Sequence, residues 1–147
     1  MERKAVKVRK IDPKAVIPTY GSAFSAGADL YACLDDDVII APGKTAMIPT
    51  GLTLEIPPCH AGLVYARSGL ASKKGLAPAN KVGVVDSDYR GELMVALLNH
   101  SQEAHTVSNG ERIAQLVITP VLACDFIESD TLSDTSRGSG GFGSTGE

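Results

Sequence analysis

The sequence predicts an all-β domain, a sandwich or barrel carrying one short helix. Three observations predict it. Short apolar runs recur along the chain, each bounded by turn residues. Glycine and proline are abundant, 15 and 8 of 147 residues, which breaks up long helices and supplies tight turns. No helix-period pattern extends beyond about two turns. Hydrophobic residues at 44% and charged residues at 21% exclude disorder across the whole chain.

The elements follow in order. Ala5-Val6-Lys7-Val8-Arg9-Lys10 alternates and reads as an edge strand with a basic, solvated outer face. Val38-Ile39-Ile40 ends at Ala41-Pro42-Gly43. Ala46-Met47-Ile48 stops at Pro49-Thr50-Gly51, and Leu52-Thr53-Leu54-Glu55-Ile56 alternates up to Pro57-Pro58. Gly62-Leu63-Val64-Tyr65 and Val82-Gly83-Val84-Val85 are further strands. Residues 80–99 read as a hairpin whose return strand begins at Glu92. Residues 113–118 form a strand ending at Pro120, and residues 122–127 a last strand. Ser68-Gly69-Leu70-Ala71-Ser72-Lys73-Lys74 is the one helical segment, with a small N-cap, terminal lysines and Gly75 as its stop. Beyond residue 132 the composition turns to Gly, Ser and Thr. The expected division is a β-sheet core over 1–132 and a mobile arm over 133–147.

Composition also narrows the function. Fourteen basic against 17 acidic residues give a net charge of −3, which excludes a general nucleic-acid binder. Any phosphate must be held by a few local cations and backbone N–H groups. Cys33, Cys59 and Cys124 form no C-x-x-C pair, so a reduced, cytoplasmic protein without disulfides or zinc is expected. No signal-like apolar region and no membrane-spanning run is read in the sequence.

Five segments could carry chemistry. Arg137-Gly138-Ser139-Gly140-Gly141-Phe142-Gly143-Ser144-Thr145-Gly146 offers backbone and hydroxyl donors, a guanidinium and one ring, which suits a nucleotide. In residues 80–92, Asp86 or Asp88 could activate water or could cap the turn. Arg67-Ser68-Gly69 stands where the helix begins, as an anion clamp or as one half of an ion pair. Gln115 interrupts an apolar strand and needs partners, in the core or in a site. Asp29 lies among small residues, as a turn acid or a supporting carboxylate. Neither a Ser/His/Asp triad nor metal-ligand spacing is present, so a divalent ion would be held mainly by substrate phosphates.

In their order, Ser25-Ala26-Gly27-Ala28-Asp29-Leu30, Ala66-Arg67-Ser68-Gly69-Leu70, residues 80–91, Gly110-Glu111-Arg112-Ile113-Ala114-Gln115-Leu116 and the glycine-rich tail resemble the five motifs of the trimeric dUTPase family. The resemblance covers residues 16–147. It implies a jelly-roll-like β fold, the β-clip of that family, and a homotrimer whose three active sites each draw on several chains. It implies hydrolysis of dUTP to dUMP and pyrophosphate by water attack on the α-phosphorus, with Mg2+ on the phosphates. Such an enzyme supplies dUMP for dTMP synthesis and keeps uracil out of DNA. By resemblance Asp86 is the base. Asn80 and the backbone of Val82, Gly83, Val84 and Val85 read uracil, and Tyr89 packs under the deoxyribose. Arg67, Ser68 and Gly69 clamp phosphate, Gln115 stands by the attacked phosphorus, and Asp29 orients Arg67 or metal-bound water. Phe142 covers the base, while Arg137, Gly143, Ser144 and Thr145 hold the γ-phosphate. The rivals are a dCTP deaminase of related fold and a non-catalytic binding sandwich. Asp86-x-x-Tyr89-x-Gly91 disfavours the first, and Asp86 together with Arg67 and Arg137 disfavours the second.

Overall fold

A computed structural model describes residues 4–142. Its strands are β1 (Lys7–Lys10), β2 (Thr19–Tyr20), β3 (Ala28–Tyr31), β4 (Val38–Ile40), β5 (Thr45–Glu55), β6 (His60–Tyr65), β7 (Leu76–Pro78), β8 (Gly83–Val85), β9 (Glu92–Asn99), β10 (His105–Val107) and β11 (Arg112–Pro120). The helix α1 (Ser68–Lys74) lies between β6 and β7. Three antiparallel sheets result, ordered β1-β5-β9-β7, β10-β4 and β2-β3-β11-β6-β8. Leu30, Val64 and Leu116 from the five-stranded sheet meet Ile48, Leu76, Val95 and Leu97 from the four-stranded one, and Ile40 and Val107 from the pair close the core. This is the jelly-roll-like β architecture expected from the many short strands.

Strict alternation of buried and half-buried residues in β9 fixes its register, because a one-residue slip would turn Leu93, Val95 and Leu97 outward. The basic edge is as expected: β1 pairs only with β5, and Lys7 Nζ donates to Glu55 Oε1 at 2.8 Å. That hydrogen bond and charge hold the Glu55 carboxyl below its ordinary range.

Several local expectations are corrected. The two strands anticipated around Pro49-Thr50-Gly51 are one, β5. Its ladder with β9 shifts between Pro49 and Thr53, so the turn residues form a bulge within the strand. Gly51 adopts φ 68 there, and a Cβ would sit 2.8 Å from Ala15 Cβ and 2.9 Å from Cys33 Sγ. Thr50 Oγ1 donates to Leu93 O at 2.6 Å and Gly51 N to Glu92 Oε1 at 2.8 Å, so the bulge's polar groups are satisfied. The hairpin expected over 80–99 is not formed: β8 pairs with β6, and β9 with β5 and β7, in different sheets. Arg67, not Ser68, caps α1, without a side-chain cap bond, while Gly75 ends the helix at φ 64 as anticipated. Residues 122–127 form no strand, since the chain offers them no neighbour to pair with. Val121 N donates to Cys59 O at 2.9 Å, and beyond it Leu122, Phe126, Ile127 and Leu132 lie exposed.

Candidate active site

The candidate residues fall into three groups. The first gathers at the end of β6. Tyr65 of β6 and Asp29 of β3 both pair with Gln115, which makes β11 the bridge between them. The chain leaving β6 therefore carries Arg67 over Asp29, and Nε donates to Oδ1 at 2.8 Å. Both side chains are largely covered, so solvent screens this pair less than a surface bridge. Arg112 Nη1 reaches the other oxygen, Oδ2, at 3.4 Å. Gln115 Nε2 donates to Ala66 O at 2.8 Å, fixing the amide beside the chain that carries Arg67. Ser68 and Gly69 are exposed in the first turn of α1, where backbone N–H groups have no partner inside the helix.

Gly27 makes this arrangement possible. A Cβ there would press on Gln115 Oε1 and lie 3.1 Å from Gln115 Cβ and Cδ. Gly27→Ala is therefore expected to displace the Gln115 amide. Turnover should drop by about tenfold or more with a thermal midpoint close to the parent's, because a misplaced group costs rate without emptying the core. Steady-state kinetics and a melting curve check this. The sequence reading did not assign Gly27 a role, and only the fold reveals the contact.

The second group lines an open cleft of about 310 Å³ walled by β8, β9 and the 86–89 turn. Asn80, Gly83, Val84, Val85, Asp86 and Tyr89 line it. Val82 lies exposed just before β8. Lys81 at φ 65 makes the tight bend that folds Asn80 over Gly83, where a Cβ would stand 3.1 Å from Asn80 Nδ2. β8 is an edge strand, so one side of its backbone is not paired with another described strand. Tyr89 N donates to Asp86 O at 3.2 Å and Arg90 Nη1 to Ser87 O at 2.7 Å, which closes the turn without either carboxylate. Neither Asp86 nor Asp88 carries a side-chain hydrogen bond among the described residues. Asp86 thus does not cap its turn, and its exposed carboxylate is available at the cleft. Tyr89 Oη donates to Glu92 O at 3.0 Å. Its ring lies where a Gly91 Cβ would be, within 2.9 Å of Cε2, so Gly91 holds the ring in place by lacking a side chain.

The third group is the arm. Arg137 Nε donates to Gly140 O at 2.9 Å in a local turn, and Phe142 at φ 51 is fully exposed. Gly143, Ser144 and Thr145 lie outside the described residues.

Asp29, Arg67 and Gln115 do not line the cleft that carries Asp86. Val85 pairs with Gly62, while Arg67 lies five residues beyond Gly62 on the same run of chain. The ladder is antiparallel, so Asp86 continues away from the end of β6 at which Arg67 stands.

Comparison with known proteins agrees with this architecture. The family model described as dUTPase matches residues 13–146. A deoxyuridine 5'-triphosphate nucleotidohydrolase of Desulfitobacterium hafniense is 53% identical over 146 residues, covering 97% of this chain and 95% of that protein. One from Enterobacter sp. is 45% identical and covers 97% of each. The solved dUTPase of Staphylococcus bacteriophage 80alpha with dUPNHPP superposes with a TM-score of 0.86 at 27% identity, over 99% of this chain and 100% of that one. The motif order, the β architecture and these end-to-end matches converge, and the chain belongs to the dUTPase family.

Proposed function

We infer that the protein hydrolyses dUTP to dUMP and pyrophosphate. The single observation that carries the reading is the family match over residues 13–146, with the cleft's chemistry beside it. Asp86 is the base: its unpartnered carboxylate takes a proton from water as that water attacks the α-phosphorus, and the proton leaves Asp86 after turnover. The Asn80 amide and the open backbone edge of residues 82–85 pair with the N3 and C4 edge of uracil. Cytosine presents the opposite donor and acceptor there, so it leaves buried polar groups unmatched and is rejected. Tyr89 supports the deoxyribose. Arg67, the N–H groups of Ser68 and Gly69, and Gln115 hold the phosphates, with Asp29 orienting Arg67.

The absence of Asp29, Arg67 and Gln115 from the lining of the Asp86 cleft supports a homotrimer with shared sites, in which one substrate draws on Asp86 and Arg67 from different chains. The arm of a further chain then brings Phe142 over the base and Arg137, Gly143, Ser144 and Thr145 to the γ-phosphate, excluding water as it closes. Among the described residues no group of three or more His, Cys, Asp or Glu could hold a metal ion, and two guanidiniums already occupy Asp29. A magnesium ion fits this set only through the nucleotide's phosphates and water, with Asp29 at most touching that water. When bound it supplies charge neutralisation on the phosphates. The free thiols of Cys33, Cys59 and Cys124 fit a reducing, cytoplasmic setting.

Assaying pyrophosphate release from dUTP against ammonia release from dCTP tests the function. Pyrophosphate from dUTP alone is expected, and ammonia from dCTP would overturn it. Discrimination against the ribonucleotide gives a second check. Tyr89→Ala should raise relative kcat/KM for UTP over dUTP, because a ring excluding the 2′-OH acts through a clash. An unchanged ratio would refute the role of the ring.

A further inference from the structure

Residues 86–91 are held by no ladder. Val85 ends its pairing opposite Gly62 of β6, and Glu92 resumes pairing opposite Thr53 of β5, in another sheet. Packing does not fix this crossing either. Asp86 and Tyr89 face the open cleft on one side. Ser87, Asp88 and Arg90 line a second hollow of about 440 Å³ on the other, against Glu55 and Pro57. Asp86, Asp88 and Tyr89 are all exposed. A segment that buries so little gains little order from apolar contact, so its hydrogen bonds must set its shape.

Arg90 supplies most of them. Its Nη1 donates to Ser87 O at 2.7 Å and to Tyr89 O at 3.1 Å, and it lies 3.5 Å from Leu54 O of β5. One nitrogen thus ties two carbonyls of the turn together and sets them against the neighbouring strand. Among the described residues the hydrogen-bond partners of this side chain are carbonyls alone. A charged donor makes such bonds stronger than a neutral one would. The gripped carbonyls belong to the residue that follows Asp86 and to Tyr89 itself. Arg90 does not line the Asp86 cleft, so its guanidinium stands behind the turn and not among the groups that face the nucleotide.

Building on the dUTPase reading, we propose that Arg90 is a positioning residue, whose guanidinium clamps the turn from behind and so aims the Asp86 carboxylate at water and the Tyr89 ring at the sugar. Steady-state kinetics with dUTP and UTP, beside a melting curve, test this. Arg90→Ala should lower kcat for dUTP by about tenfold or more, because a small misplacement of a catalytic group is costly in rate. Preference for dUTP over UTP should fall severalfold with it. The thermal midpoint should stay close to the parent's, since no core contact is lost. Arg90→Lys keeps a charged donor on a long stem and should recover part of both losses. It serves as the test, with smaller losses in the same two quantities, if the alanine variant does not fold. In an Asp86→Asn background Arg90→Ala should cost little further turnover, there being no base left to aim. Unchanged turnover or preference, a midpoint that falls with the rate, no recovery with lysine, or the full loss repeated without Asp86 would each overturn the proposal. Pyrophosphate release from dUTP by the unaltered protein reports separately on the underlying function.

Discussion

Asp86→Asn is expected to lower turnover by two orders of magnitude or more, the worth of a lost general base being about 10²–10⁴. Among the described residues the carboxylate makes no hydrogen bond, so its replacement should leave the fold intact. The amide keeps nearly the same shape, so nucleotide binding also survives. The measurement is single-turnover kinetics on the pure variant alongside calorimetry with a non-hydrolysable analogue. Near-parental turnover would remove Asp86 from the role of base. Loss of binding equal to the loss of rate would make it a ligand instead.

Truncation after Asp134 removes Arg137 and Phe142, which touch no part of the compact body, so the thermal midpoint should barely move. Activity should nonetheless collapse if, as proposed, the arm closes over the bound nucleotide. Mixing makes the result sharper. If Asp86 and the arm come from different chains, as proposed, co-refolding the Asp86→Asn variant with the truncated variant should create some sites in which both parts are intact. Part of the activity then returns, while either variant refolded alone stays inactive. Native mass spectrometry establishes that the assemblies are mixed. Mixed assemblies with only the summed residual activities would mean that each site is built from one chain.

Much of the fold was legible because its punctuation is local. Gly75 needs its left-handed conformation wherever α1 ends, and the alternation of residues 92–99 shows which face of β9 is buried. What local pattern could not show was which strand pairs with which. Residues 80–99 have the look of a hairpin, yet the 86–89 turn sends β8 and β9 to separate sheets. Pro49 and Gly51 have the composition of a turn, but long-range bonds from Thr50 and to Glu92 hold them inside β5. β3 went unread because Ala, Asp, Leu and Tyr make a short strand without a β-branched residue. The candidate site residues were readable as types in an order. Their supports were not: Gly27 under Gln115 and Gly91 beside Tyr89 act through empty space, which leaves no mark on periodicity.

The run from Val121 to Leu132 has a thermodynamic consequence. Four large apolar side chains project from it into water, 86% to 98% exposed, and nothing among the described residues covers them. Such a surface is comfortable only against another molecule. If the proposed homotrimer is what covers them, resistance to heat should depend on how much protein is in the tube, with the melting midpoint expected to climb by mass action as concentration rises.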